Sequence, residues 1–285
     1  MKKLLTTALF VFAGFASTAQ KLDNSLLWKI SGNGLSKPSY LYGTIHITCD
    51  ATLDKNVLSA LDATGQVYLE LDMDDPNMQG DMMGTMQMKD GVTMESLSTP
   101  EDFKIVDEFL KANMGMGADM LNTFKPFMAT AMLYPKLLDC PMQSYEMVLM
   151  EAAKTQKEEI YGLETVAEQM AVFDAIPYKE QMDELVKTAK NNMVNDKKEM
   201  ADMMALYNKK DLNALLEFMD KSENKMMAAH NDVLLINRNK NWIPKIEAVA
   251  KAKPTFFGVG AAHLAGEKGV IKLLRKKGYK VEAVK

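Results

Sequence analysis

Residues 254–284 read PTFFGVGAAHLAGEKGVIKLLRKKGYKVEAV. Pro254–Gly260 is a short apolar run ending in glycine, the pattern of a buried strand. His263 follows, and Gly269–Lys277 then carries apolar residues at helical spacing. Gly278 stands at the C′ position, where a left-handed residue stops a helix, and Tyr279–Val284 alternates as a final strand. Strand, helix and strand in succession describe the closing part of an open α/β sheet.

The other end of the chain carries the same signals. Ser39–Ile47 (SYLYGTIHI) is aromatic and β-branched, and Leu26–Ser31 (LLWKIS) runs into the turn signal Gly32-Asn33-Gly34, so the two predict a hairpin. Gln66–Asp72 (QVYLELD) is a further strand after a short helical stretch over Leu53–Ala63, and Glu159–Leu163 one more. From Thr99 to about Lys240 the pattern is helical. Thr99-Pro100-Glu101-Asp102 is a helix start, with proline in the first turn and acids at the positive end of the dipole. Further helices are expected over Pro126–Leu138, Ser144–Gln156, Thr165–Ala175, Tyr178–Met204 and Asp211–Arg238. Strands from both ends around a long helical middle, about 99–240, predict an α/β (α+β) fold. Its mixed central sheet is built within one domain spanning residues 20–285.

Residues 1–19 read as a secretory signal: Lys2 and Lys3, an apolar run from Leu4 to Phe15, then Ser17-Thr18-Ala19 at a cleavage site. The run is shorter than the ~20 residues that span a bilayer. The expectation is export to the periplasm or the exterior, with no stable membrane span after cleavage. The chain has 34 basic and 38 acidic residues, interleaved, which leaves no phosphate-binding stripe and excludes nucleic acid as a partner. Cys49 and Cys140 allow either one disulfide in an oxidising compartment or two separate thiols. Methionine is abundant, at 25 residues with seven between Met73 and Met94. Thioethers can hold copper(I), but the excess continues through the helical middle, where methionine fills irregular cores.

Two of the three histidines share a setting. Gly43-Thr44-Ile45-His46 and Gly260-Ala261-Ala262-His263 each place a glycine in a strand and an imidazole three residues later. The carboxyl ends of strands are where open α/β sheets build sites. G-x-x-H alone is a weak pattern, and a core histidine with a hydrogen-bond partner explains either one singly. Glu70 lies in an apolar strand, on the face opposite Val67, Leu69 and Leu71. It needs a cation or strong donors if buried, and needs nothing if that face is wet.

The segments SYLYGTIHI, YLELDMD, YGLETVAEQ, LLINRNKNW and FFGVGAAHLAGEKGVIKLLRKKGYKV resemble, in order and spacing, the TraB/GumN/TIKI family, from about Leu27 to Val284. The resemblance implies a fold similar to the ChaN and erythromycin-esterase group. It also implies a metal-dependent peptide hydrolase with paired G-x-x-H histidines and an acid at its site. On that basis His46 and His263 are metal ligands, and Glu70 is a ligand or general base. Arg238 and Asn239, in the Arg-Asn-x-x-Trp segment, line the site. Arg238 then stabilises an oxyanion or holds a substrate carboxylate, its alternative being a helix-terminal surface arginine. Gly43 and Gly260 are motif glycines, while Glu146 and Glu164 are supporting acids that cap, pair with Arg238 or touch metal. His230 fits no motif and reads as a solvated helix residue. Two imidazoles and a carboxylate leave a position for water on a divalent ion such as manganese, cobalt or zinc. The substrate would be a peptide or protein. The alternative is a non-enzymatic binder of a secreted peptide, haem or metal, which needs the pocket but no poised water.

Overall fold

The computed structural model describes residues 21–222 and 224–285; the expected leader, residues 1–19, lies outside them. The strands are β1 (Leu27–Ser31), β2 (Ser39–Thr44), β3 (Val67–Leu69), β4 (Ile160–Gly162), β5 (Phe256–Gly260) and β6 (Lys280–Ala283). They form one mixed sheet in the order β4-β3-β5-β2-β1-β6. The four strands from β4 to β2 are mutually parallel, and β1 runs antiparallel to both β2 and β6. The expected N-terminal hairpin is the β1–β2 pair, with Leu27 opposite Tyr42. The C-terminal strand closes on it, with Trp28 opposite Ala283.

Around the sheet lie α1 (Lys55–Asp62), α2 (Met78–Thr85), α3 (Pro100–Met114), α4 (Pro126–Leu133), α5 (Tyr145–Gln156) and α6 (Val166–Asp174). They are followed by α7 (Tyr178–Lys190), α8 (Val194–Asn208), α9 (Leu212–Asp220), α10 (Lys225–Ala229), α11 (Asn237–Ala252) and α12 (Val270–Lys276). Local chemistry sets many of the boundaries. Asp54 accepts from the Asn56 and Val57 amides to start α1. Thr99 caps α3 ahead of Pro100, and Gly115, at φ 76°, ends it. Thr165 and Glu168 form a reciprocal capping box on α6. The main core packs Leu41, Val67, Leu69, Phe256, Phe257 and Val259 of the sheet against α5, α11 and α12. A second core joins α3, α4 and α7 through Val106, Leu110, Leu133, Met182 and Leu185.

Several expected boundaries move. The helix expected over Tyr178–Met204 breaks between α7 and α8, where Asn192 and Met193 take left-handed φ of 52° and 60°; Met193 gains burial in the second core there. The Asp211–Arg238 helix divides into α9, α10 and a π-helical turn at Asp232–Ile236. Arg238 therefore stands in the first turn of α11, directly after the π-helical turn, and is largely buried rather than a surface arginine. That helix runs on to Ala252 through Pro244, because Asn239, Trp242, Ile243, Ile246 and Ala250 keep one buried face. The strands stop earlier than their apolar runs: β2 ends at Thr44 and β3 at Leu69. The methionines divide between core and surface: Met94, Met182 and Met193 are buried, whereas Met83, Met120 and Met147 are exposed.

Candidate functional site

Parallel strands point their carboxyl ends the same way, so β2, β5, β3 and β4 release their next residues at one edge of the sheet. His46 lies two residues past β2, Glu70 directly past β3, Glu164 two past β4 and His263 in a 3-10 turn, Ala261–His263, after β5. Because β5 sits between β3 and β2, three neighbouring strands deliver His46, His263 and Glu70.

Glu70 and Glu164 are buried and share one cation. Arg238 donates through Nη2 to Glu70 Oε2 at 2.6 Å and through Nε to both Glu164 oxygens at 3.0 and 3.2 Å. Nη2 also bonds Glu164 Oε1. The guanidinium lies 4.9 Å from the Trp242 ring centre, a cation–π distance. Trp242 Nε1 donates to Glu164 Oε2 at 3.1 Å, and Gln169 donates to both carboxylates, at 3.3 and 3.1 Å. The Gly260 amide completes the set on Glu70 Oε1 at 2.8 Å. Burial alone would raise the Glu70 pKa, but the Arg238 charge, foremost, with that of His46 and the Gly260 amide, outweighs it and holds the carboxyl well below its usual range.

His263 is locked as a neutral ring. Asn239 uses its amide nitrogen on the carbonyls of His263 and Lys268, at 3.3 and 3.0 Å. Its Oδ1 is therefore the acceptor facing His263 Nδ1 at 2.6 Å, and Nδ1 carries the proton. Nε2 faces Arg238 Nη1 at 3.1 Å, and a guanidinium only donates, so Nε2 is the unprotonated nitrogen. Burial, foremost, pushes the His263 pKa down to about 3, the charges of Arg238 and His46 adding to it. Glu70 Oε1 stands 3.7 Å from Nε2.

His46 has the opposite character. Its side chain is 68% exposed, against 4% for His263. Nδ1 meets Glu146 Oε1 at 3.0 Å, and that carboxylate also accepts from Thr44 and Ser144, at 2.8 and 2.7 Å. The bond to Glu146 raises the His46 pKa to about 9. A disulfide between Cys49 and Cys140, Cα atoms 5.7 Å apart, ties the loop after His46 to the loop before Glu146. Thr48 and Gln143 pair beside it through two backbone hydrogen bonds, at 3.0 and 2.8 Å.

The motif glycines admit close approach. A Cβ on Gly43 would lie 2.9 Å from Leu264 Cδ1 and 3.1 Å from Ala261 Cα, so the turn of one motif rests on the glycine of the other. The Gly43 carbonyl accepts from buried Tyr207 at 2.8 Å. A Cβ on Gly260 would press on Glu70 Oε1 at 3.3 Å. His230 takes no part and pairs with Glu180 at 2.7 Å. Trp242, Gln169, Thr44, Ser144 and Tyr207 were not singled out by sequence. Only Trp242 had a signal, four residues after Arg238 and so on the same helix face.

A model of the TraB/PrgY/gumN family matches residues 26–283. The chain belongs to that family. Among its curated relatives, metalloprotease TIKI2 of Danio rerio is 22% identical across 93% of this chain and 62% of that protein. Metalloprotease TIKI2 of Xenopus tropicalis is 24% identical across 91% of this chain and 60% of that protein. The metalloprotease TIKI homolog of Nematostella vectensis is 23% identical across 94% and 69%. This TraB/PrgY/gumN chain thus spans about three-fifths of the length of the TIKI2 relatives, and its kinship is with metalloprotease-like proteins. No solved structure matches the chain, and the expected likeness to ChaN and erythromycin esterases rests on the sequence resemblance alone.

Metalloprotease relatives imply a divalent metal. The imidazoles suit one: each Nδ1 is held by an acceptor side chain, the pattern that orients metal-binding histidines, and the His263 tautomer presents an unprotonated Nε2. Glu70 is committed to Arg238 and the Gly260 amide. Among the described residues no three His, Cys, Asp or Glu side chains are grouped to hold a metal. What suits a divalent ion is the chemistry of the donors alone, two imidazoles and a carboxylate, and Arg238 occupies the His263 and Glu70 atoms among them.

Proposed function

We propose that this TraB/PrgY/gumN protein is an exported, divalent-metal-dependent hydrolase of peptides. The observation that supports it is the placing of His46, Glu70 and His263 at three neighbouring strand ends, with both imidazoles anchored at Nδ1. His46 and His263 would hold the ion, and manganese, cobalt and zinc all accept imidazole donors. Bound, the ion lowers the pKa of a water to roughly 7 from about 15.7. Glu70, its carboxyl held low by Arg238, suits a ligand better than a general base, since a weakly basic carboxylate takes a proton poorly at neutral pH. Asn239 keeps His263 in the ligating tautomer, and Glu146 holds Nδ1 of His46, whose ring would give up its Nε2 proton to take the ion. Arg238, forked on Glu164, would grip a substrate carbonyl or carboxylate. Export is supported by the leader-like residues 1–19 and by the oxidised Cys49–Cys140 pair.

A second reading, a binder of a secreted peptide, haem or metal, is favoured by one feature: both buried carboxylates are already satisfied by protein donors. Incubation of the chain with a mixed peptide pool and manganese, cobalt or zinc, followed by mass spectrometry, separates the two. Metal-dependent cleavage lost in His46→Ala and in His263→Ala supports the hydrolase. Metal or haem bound without any cleavage supports the binder, and cleavage that survives both substitutions sinks the site.

A further inference from the structure

Arg238 makes two kinds of contact. One set anchors it: Nε and Nη2 on Glu164, Nη1 on the Leu234 carbonyl at 3.1 Å, and the Trp242 face. The other set covers the atoms a metal would use: Nη2 on Glu70 Oε2 at 2.6 Å, and Nη1 on the lone pair of His263 Nε2 at 3.1 Å. The anchoring set is complete without the covering set, because Glu164 alone gives the guanidinium a forked partner. The covering set takes the single lone pair of His263 Nε2 and, together with the Gln169 amide, fills Glu70 Oε2, while Oε1 accepts from the Gly260 amide.

We propose that Arg238 is a built-in competitor of the metal, a tethered cation that neutralises Glu70 and caps His263 until a divalent ion displaces it. This rests on the metal site proposed above. A protein that left Glu70 and Glu164 buried without a cation would bear two uncompensated charges; in the metal-free state the guanidinium offsets one of them and donates to both carboxylates. The same contact lowers metal affinity, since the ion must displace a positive charge from the site before it gains its ligands. A guanidinium stays protonated at any accessible pH, so this competition, unlike that of a proton, does not relax as pH rises. With the covering contacts gone, Arg238 would keep Glu164 and the Leu234 carbonyl and have one N–H on each of Nη1 and Nη2 free to donate to a substrate oxygen.

Calorimetric titration of the metal-free protein with zinc tests this. Arg238→Gln is expected to bind zinc roughly tenfold or more tightly than wild type, because the competing charge is gone while Glu70 and His263 remain. Arg238→Lys, which keeps a charge but has no fork, should fall between the two. An Arg238→Gln protein that binds zinc no tighter than wild type overturns the proposal. Should that variant fail to fold, the wild type decides, for the chain has two arginines, Arg238 and Arg275. Zinc should shift the Arg238 Nη side-chain resonances and leave those of Arg275 in place. Zinc bound with the Arg238 resonances unmoved contradicts competition while leaving the metal site standing. Zinc bound equally by wild type, His46→Ala and His263→Ala, or not bound at all, overturns the metal site and this inference together.

Discussion

The two G-x-x-H motifs are alike in sequence and opposite in chemistry. His263 is buried and neutral, its nitrogens assigned by Asn239 and Arg238. His46 is exposed and held protonated by Glu146. The difference follows from what comes after each strand. Past β5 the chain folds at once into a 3-10 turn packed under Trp242, whose ring centre lies 4.5 Å from that of His263. Past β2 it enters a loop whose attachment to the segment before α5 comes from the disulfide and the Thr48–Gln143 pair. One half of the site is made rigid by burial, the other by a covalent brace at the surface.

The comparison breaks most visibly in the supporting acids. Glu164→Leu strips Arg238 of its anchor and leaves the Trp242 indole N–H without an acceptor, so chemical denaturation should show a loss of about 3–5 kcal/mol, as for a broken buried pair. Glu146→Gln keeps one acceptor oxygen for Thr44 and His46 and sets an NH2 against the Ser144 hydroxyl, which can accept from it; with His46 exposed, it should cost about 1 kcal/mol or less. Equal losses would erase the distinction. Between these lies the brace. Replacing Cys49 and Cys140 together by Ser opens a link across 91 residues and should cost about 2–4 kcal/mol. The same change should let the His46 pKa drift down toward roughly 6.5, its free value, with His263 unaffected.

The pH dependence should carry two opposed signatures in the metal-free protein. His263 is neutral in the fold down to about pH 3, while the unfolded chain protonates it near 6.5. Stability therefore falls as pH drops from roughly 6.5 towards that lower value. His46 is protonated in the fold up to about pH 9, so its contribution is fully present below roughly 6.5 and is lost as pH rises through the folded value. Solvent screening keeps that second effect small. Denaturation midpoints across the range, for wild type against His263→Asn and His46→Asn, should lose the acid and the alkaline limb respectively.

Much of this edge was legible in sequence, because strands announce themselves locally. The apolar runs at residues 39–47, 66–72 and 254–260, and the glycines at 43 and 260, located the strand ends that carry the histidines. Glu70 stood out as a carboxylate in an apolar strand. What the residues alone did not state were the partners: the Glu164–Arg238 pair, 74 residues apart, was one of the roles the family resemblance implied, and no local pattern states which strand lies beside which. The difference between His46 and His263 was hidden for the same reason, since Glu146 and Asn239 reach them from α5 and α11. The left-handed Asn192 and Met193, which end α7, had no glycine to mark them.

With three histidines in the chain, ring-nitrogen NMR tests the central claim directly. In the metal-free protein His263 should appear as the neutral Nδ1–H form throughout pH 4–9, and His46 as the doubly protonated ring until about pH 9. Added zinc should move the Nε2 resonances of both rings in parallel at one stoichiometry and leave His230 unchanged. Two rings that titrate alike near pH 6.5, or zinc that moves one ring without the other, would contradict the account.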